Sequence, residues 1–164
     1  MNSQHSNDNL IKWSFLGAGK VKINTDGSSN PNYSFGSYGG LARTDQARWI
    51  EGFCGYVGNA TVLTIELWGL RQGLKLAKER QWEEVEVESD SLVAVELANG
   101  NDNIANHPEK VLIEDCRRLK IGTHAVVKHI KREANRCADR MAKLGGTQTE
   151  QCVRVLNFLY HLMM

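Results

Sequence analysis

Four acidic side chains mark the places where chemistry can begin: Asp26, Glu66, Asp90 and Asp139. Gathered together, carboxylates form a hard, all-oxygen donor set that favours Mg²⁺ or Mn²⁺ over zinc. Like charges about 4 Å apart repel by about 4 kcal/mol at an effective dielectric of 20. A cluster of four therefore stays ionised only with cations between its members. Each acid also has a plainer reading. Asp26 and Asp90 fit the solvated ends of strands. Glu66 fits the first turn of a helix, where the dipole favours a carboxylate by roughly 0.3–1 kcal/mol. Asp139 fits a surface salt bridge to Arg136 or Lys143.

The elements that must position these acids follow from periodicity. Lys20 to Asp26 alternates, with Val21, Ile23 and Thr25 on one side and Lys22, Asn24 and Asp26 on the other, which predicts a half-buried strand. A turn-rich stretch, Gly27 to Asn32, follows it. Tyr38 to Arg43 and Trp49 to Val57 complete an antiparallel meander. From Thr64 to Arg80 the residues Leu67, Leu70, Leu74 and Ala77 form a helical stripe. Gly69 and Gly73 share a ridge with Glu66, and glycine inside a helix costs about 1 kcal/mol relative to alanine. Something, the sheet above all, is expected to approach that ridge closely.

Val85 and Val87 mark a fourth strand that ends at Ser89-Asp90, with Asp90 on the phase of Glu86 and Glu88. If this strand neighbours the first, Asp26 and Asp90 emerge at the same end of the sheet. Helices are expected over Ser91 to Ala98 and Pro108 to Lys120. A fifth strand is expected over His124 to Ile130, and a last helix over Ala134 to Leu144, closed by Gly145 as a C-cap. Three antiparallel strands and then alternating β and α predict a mixed α/β fold, a five-stranded sheet with helices on both faces. The domain spans residues 19–146, after a flexible leader at 1–18. A tail at 147–164 could present Val153, Leu156 and Tyr160 as one helical face.

Composition narrows the classes. The 164 residues are 41% hydrophobic and 24% charged, with two prolines, which excludes disordered, collagen-like and coiled-coil chains. Twenty Lys and Arg against nineteen Asp and Glu leave a formal charge of +1, so any nucleic-acid contact must come from local charge separation. Such a patch exists between Lys128 and Lys143, where Lys128, Lys131, Arg132, Arg136, Arg140 and Lys143 face only Glu133 and Asp139. The four cysteines form no C-x-x-C pair, which argues against structural zinc and for a reduced intracellular compartment, nuclear, cytoplasmic or organellar. Neither end supplies the roughly 20 apolar residues of a membrane span.

The run Thr25-Asp26-Gly27-Ser28-Ser29 after a strand, Ile65-Glu66-Leu67-Trp68 opening a helix, Val87-Glu88-Ser89-Asp90-Ser91 after a strand, and Arg132 to Asp139 at the last helix together resemble a ribonuclease H domain. The variant they resemble is that of plant genomes and non-LTR retroelements. The resemblance covers about Lys20 to Gly145. It implies a four-acid catalytic and metal site of Asp26, Glu66, Asp90 and Asp139, two Mg²⁺ ions replaceable by Mn²⁺, and hydrolysis of the RNA strand of RNA·DNA hybrids to 5′-phosphate and 3′-hydroxyl ends. Asp26 is then the bridging ligand, and Glu66 can accept from the ribose 2′-OH. His129, ten residues before Asp139, matches the family's mobile histidine, in proton transfer or product release. The resemblance needs no protein nucleophile, so Ser28, Ser29 and Cys137 have no such role. Hybrid contacts are expected at Gly27, Ser28, Ser29, Asn30, Thr64, Lys131, Arg132, Asn135 and Arg136.

Two departures bear on affinity. Many ribonucleases H carry Asn or Gln just before the helix glutamate, whereas this chain has Val62-Leu63-Thr64-Ile65. The short link from Asn99 to His107 leaves no room for the basic handle helix of some bacterial relatives. Hybrid binding is then modest or assisted by a partner, with the tails as its docking segments. The competing reading is a nucleic-acid-binding or interaction module that kept the fold and lost turnover. A proofreading-type exonuclease fits poorly because position 28 is Ser, and an integrase fits poorly because Asp139 stands where a late Glu belongs.

Overall fold

The computed structural model describes residues 19–30, 35–147 and 152–155. Its elements in chain order are β1 (Val21–Asn30), β2 (Phe35–Thr44), β3 (Trp49–Gly58), α1 (Val62–Arg80), β4 (Val85–Ser89), α2 (Leu92–Asn99), α3 (Lys110–Thr123), β5 (Val126–His129), α4 (Arg136–Gly145) and β6 (Val153–Val155). A single 3₁₀ turn at Arg132–Ala134 precedes α4. The strands form one sheet in the order β5-β4-β1-β2-β3-β6. β1, β2 and β3 are antiparallel neighbours, while β4 pairs in parallel with both β1 and β5.

The expected mixed sheet is present, with six strands rather than five. The extra strand is β6, antiparallel to β3 through Gly52↔Val155 and Cys54↔Val153. Val153 thus sits in a strand, not on a helical face, because its alternation with Val155 lets Val155 bury against the last helix. Leu156 and Tyr160 lie outside the described residues, as do the leader at 1–18 and part of the predicted turn. The strand also runs further than expected: Gly27 to Asn30 continue β1, paired with Tyr38 to Phe35.

Each face of the sheet is covered by a helix whose glycines, or those beneath it, permit close approach. α1 buries Leu67, Leu70, Leu74 and Ala77. A Cβ at Gly73 would lie 2.9 Å from Thr25 Cγ2, and one at Gly69 would lie 3.1 Å from the Asp26 carbonyl oxygen. The ridge carrying Glu66 is therefore pressed onto β1, as its glycines predicted. On the opposite face α4 packs Met141 against Cys54 and Val155. A Cβ at Gly39 would stand 2.2 Å from the Met141 carbonyl carbon. Gly145 is the last helical residue, not the cap, and a Cβ there would meet the Gly55 carbonyl at 2.7 Å. Its small size serves contact with the sheet.

The polar phase of β1 and β4 is not a solvated face. Asn24, Glu86 and Glu88 are all buried. Glu86 is held by Lys20 at 3.5 Å and Lys128 at 3.1 Å, and Glu88 by Arg43 at 3.2 Å. Among the described residues no helix is long and apolar enough to cross a membrane.

Candidate active site

The parallel ladder between β1 and β4 ends at Thr25↔Ser89. The next residue on each strand is an acid, Asp26 on β1 and Asp90 after β4. Beyond the last pair the ladder opens, and crevices at the carboxyl ends of parallel strands are where α/β sheets receive ligands. Glu66 enters from α1. Carboxylate oxygens of Asp26, Glu66 and Asp90 lie within 4.8 Å of one another.

Gly27 makes this meeting possible. A Cβ on it would fall 2.6 Å from Ile65 Cγ2 and 3.2 Å from the Glu66 carboxyl carbon. Its N–H donates to Asp26 Oδ1 at 2.9 Å. Glu66 itself sits two residues deeper than the spacing suggested, in the second turn, since α1 begins at Val62 with Thr61 as N-cap and has no acid in its first turn. Helix support by the dipole therefore does not explain it.

The electrostatics are those of crowded, buried carboxylates. Burial, and after it the charges of Glu66 and Asp90, pushes the Asp26 carboxyl up to about 9. Burial and then Asp90 lift Glu66 to about 7, with Arg132 pulling the other way. Glu66 Oε2 is buried with no hydrogen-bond partner among the described residues. A buried acceptor of this kind is costly unless something coordinates it. Three crowded carboxyls that ionise together only beside a compensating positive charge, with one oxygen left unsatisfied, fit a hard divalent cation.

Asp139 does not join the three. Its Oδ2 lies 3.0 Å from Lys143 Nζ, one turn along α4. Of the partners the sequence offered, Lys143 is the one engaged, and an acid four residues N-terminal to its lysine is the favoured order on a helix. His129 closes β5 opposite Ser89, with Nε2 3.3 Å from the Asp90 carbonyl oxygen. It is exposed at the mouth of the crevice.

The expected nucleic-acid contacts divide into two sets. Ser29, Asn30, Lys131, Arg132 and Arg136 are exposed, and Ser28 is half-buried. Ser28, Ser29 and Asn30 line a cleft of about 580 Å³ together with Ser37 and Lys143. Thr64 is engaged at the start of α1, its hydroxyl bonded to Thr61 at 2.7 Å and to the Glu109 carboxylate. Gly27 is occupied in shaping the acid cluster. Asn135 is buried, 1% exposed, and bonds into the sheet, so the reading of it as a surface contact is corrected. Reasoning from residue spacing also missed Glu109 and the Asn24–Arg43–Glu88 network. The one signal for the latter was that Asn24 shares the phase of Asp26.

With this geometry established, comparison with known proteins is decisive. Residues 24–145 match the family model described as reverse transcriptase-like. The chain is a ribonuclease H-type member of the reverse transcriptase-like family. An Arabidopsis thaliana protein named "Putative ribonuclease H protein" is 36% identical over 137 residues, which cover 82% of this chain and 22% of that protein. The chain thus spans about a fifth of the length of that relative. Among solved structures, the ribonuclease H1 of the archaeon Halobacterium salinarum superposes with a TM-score of 0.70 at 22% identity, over 79% of this chain and 98% of that one. The N-terminal ribonuclease H domain of a Mycobacterium tuberculosis protein gives 0.69 at 28% identity, over 77% and 92%. A ribonuclease H1 called LC11, solved in complex with an RNA/DNA hybrid, gives 0.67 at 22% identity, over 76% and 94%. This ribonuclease H-type chain therefore carries its three clustered acids at the end of a sheet shared with those structures.

Proposed function

We propose that this chain is a metal-dependent endoribonuclease that cuts the RNA strand of RNA·DNA hybrids. The observation that carries the reading is the convergence of Asp26, Glu66 and Asp90, with the unpartnered Glu66 Oε2 among them. These three residues would hold divalent cations, with Asp139 as a fourth ligand once it leaves Lys143. Bound there, two Mg²⁺ ions would polarise the scissile phosphate and lower the pKa of the attacking water, as such pairs do in nucleases.

The remaining roles fall to the chain's own groups. Lys131, Arg132 and Arg136, exposed around the start of α4, bind backbone phosphates of the hybrid. Ser28, Ser29 and Asn30 hydrogen-bond sugar and phosphate from the other side of α4. Glu66 accepts from the ribose 2′-OH, the group that separates RNA from DNA. His129, beside Asp90 and open to solvent, hands a proton to the departing 3′ oxygen or escorts the product out. The tails are the segments available to a protein partner.

The test is cleavage of an end-labelled RNA·DNA hybrid in Mg²⁺ or Mn²⁺, beside an Asp26→Asn control and with single-stranded RNA and duplex DNA as competitors. Cleavage of the hybrid's RNA strand to 5′-phosphate and 3′-hydroxyl ends, abolished in Asp26→Asn, is the expected result. Hybrid binding without turnover in the parent chain identifies a binding module instead.

A further inference from the structure

Asn135 occupies the N-cap position of α4, yet its side chain makes no capping bond. Asparagine at that position ordinarily turns its side-chain oxygen back to the first-turn N–H groups. Here it turns into the sheet. Asn135 Nδ2 donates to the Thr25 carbonyl at 2.8 Å, and Asn135 Oδ1 accepts from Asn24 Nδ2 at 3.3 Å. Asn24 Oδ1 accepts from Arg43 Nε at 2.9 Å, and Arg43 Nη2 donates to Glu88 Oε1 at 3.2 Å. One chain of hydrogen bonds, buried at Asn24 and Asn135 and half-buried at Arg43, thus joins β4, β2, β1 and the start of α4.

At Asn135 this chain meets the backbone beside two of the proposed ligands. Thr25 is the residue before Asp26, and its pair with Ser89 is the last rung of the β1–β4 ladder. The Asn135 amide therefore fixes the backbone where the strands begin to part. On the helix side, the Asn135 carbonyl accepts the first intrahelical bond, at 3.1 Å, from the Asp139 N–H. Asn135 is hydrogen-bonded both to the peptide entering Asp26 and to the amide of Asp139.

We infer that Asn135 is a positioning residue: it gives up the helix cap to set the place of Asp139 relative to Asp26, and so completes the divalent-cation site. The inference rests on the hydrolase reading for its catalytic consequence, but its metal-binding consequence stands apart from turnover. Residues that orient metal ligands typically cost 10–100-fold in affinity or activity when removed.

The experiment compares the full chain with Asn135→Ala and Asn135→Asp, the second of which keeps the size and loses the donor to Thr25. A core variant on α3, Ile113→Val or Ile113→Ala, is chosen to match their loss of melting temperature. Mn²⁺ binding is measured by calorimetry below the melting range, and kcat and KM for a hybrid are measured at saturating Mg²⁺. The Asn135 variants are expected to bind Mn²⁺ about tenfold more weakly than the matched core variant, and to lose at least about tenfold in kcat with KM little changed. If Asn135→Ala does not fold, the Asn135→Asp comparison decides. Equal Mn²⁺ affinity and equal kcat in the Asn135 and Ile113 variants overturn the inference. A parent chain that binds Mn²⁺ but does not cleave refutes the hydrolase reading, and weakened Mn²⁺ binding in the Asn135 variants of that chain still upholds the positioning role.

Discussion

Lys143 holds Asp139 by an ion pair of 3.0 Å along α4, while three other acids crowd together at the end of β1 and β4. The pair is open to solvent, with Lys143 66% and Asp139 33% exposed. Exposed pairs of this kind contribute about 0–1 kcal/mol. Lys143→Met should therefore shift stability by less than about 1 kcal/mol in urea titration. The same substitution frees Asp139 for a cation, so the Mg²⁺ concentration that half-saturates activity should fall, by no more than about fivefold on that energy scale. A rise in the Mg²⁺ requirement would mean that Asp139 is not a ligand.

The raised carboxyls set the pH dependence of the metal-free protein. Asp26, near 9 in the folded chain against an ordinary value of 3.8, binds a proton more readily folded than unfolded. Glu66, near 7 against 4.5, behaves alike. Where the native state holds more protons than the unfolded state, stability falls as pH rises. Melting temperature in a chelator should thus decline between about pH 4 and pH 9, all else being equal. Asp26→Asn removes the larger contribution and should raise the metal-free melting temperature at pH 8 by at least about 3 °C, the scale of roughly 1 kcal/mol in a chain of this length. Mg²⁺ should stabilise the parent more at pH 8 than at pH 5.5. A flat metal-free profile would contradict the burial and crowding of the three acids.

Gly39 tests the seat of the last helix. Its Cβ would stand 2.2 Å from the backbone of Met141 and 2.3 Å from Ala142 N, neither of which can swing aside like a side chain. Overpacking typically costs 1–3 kcal/mol, and a backbone contact puts Gly39→Ala at about 3 kcal/mol or more. Gly122→Ala, with nothing within 4 Å of the new carbon and a place inside α3, is the control and should hold the urea midpoint or raise it, by up to about 1 kcal/mol. Comparable losses at both positions would mean that the packing of α4 on the sheet is not what Gly39 protects.

Much of this architecture was readable from pattern. The alternation of Val21, Ile23 and Thr25, and the stripe of Leu67, Leu70, Leu74 and Ala77, each announce a buried face, and all seven are buried. Glu66 was legible through Gly69 and Gly73, because glycines in a helix report contact more clearly than the acid does. β6 was not legible, since Val-Arg-Val is too short to show a period and needs β3 beside it. Gly145 was mistaken for a cap because packing glycines and capping glycines occupy the same end of a helix. Asn135 reads as a hybrid contact for a related reason: in sequence it stands among the basic residues Lys131, Arg132 and Arg136. Only the fold brings Thr25, 110 positions away, to its amide. Asp139 carried both of its readings in sequence, ligand and salt-bridge partner, and the i,i+4 spacing to Lys143 is local enough to win.

Diffraction from crystals soaked in Mn²⁺, recorded at the manganese edge, tests the central claim most directly. The account predicts an anomalous peak bounded by Asp26, Glu66 and Asp90, with Glu66 Oε2 among its ligands and no such peak in Asp26→Asn crystals. Manganese found only elsewhere on the molecule, with the three carboxylates left uncoordinated, would contradict it.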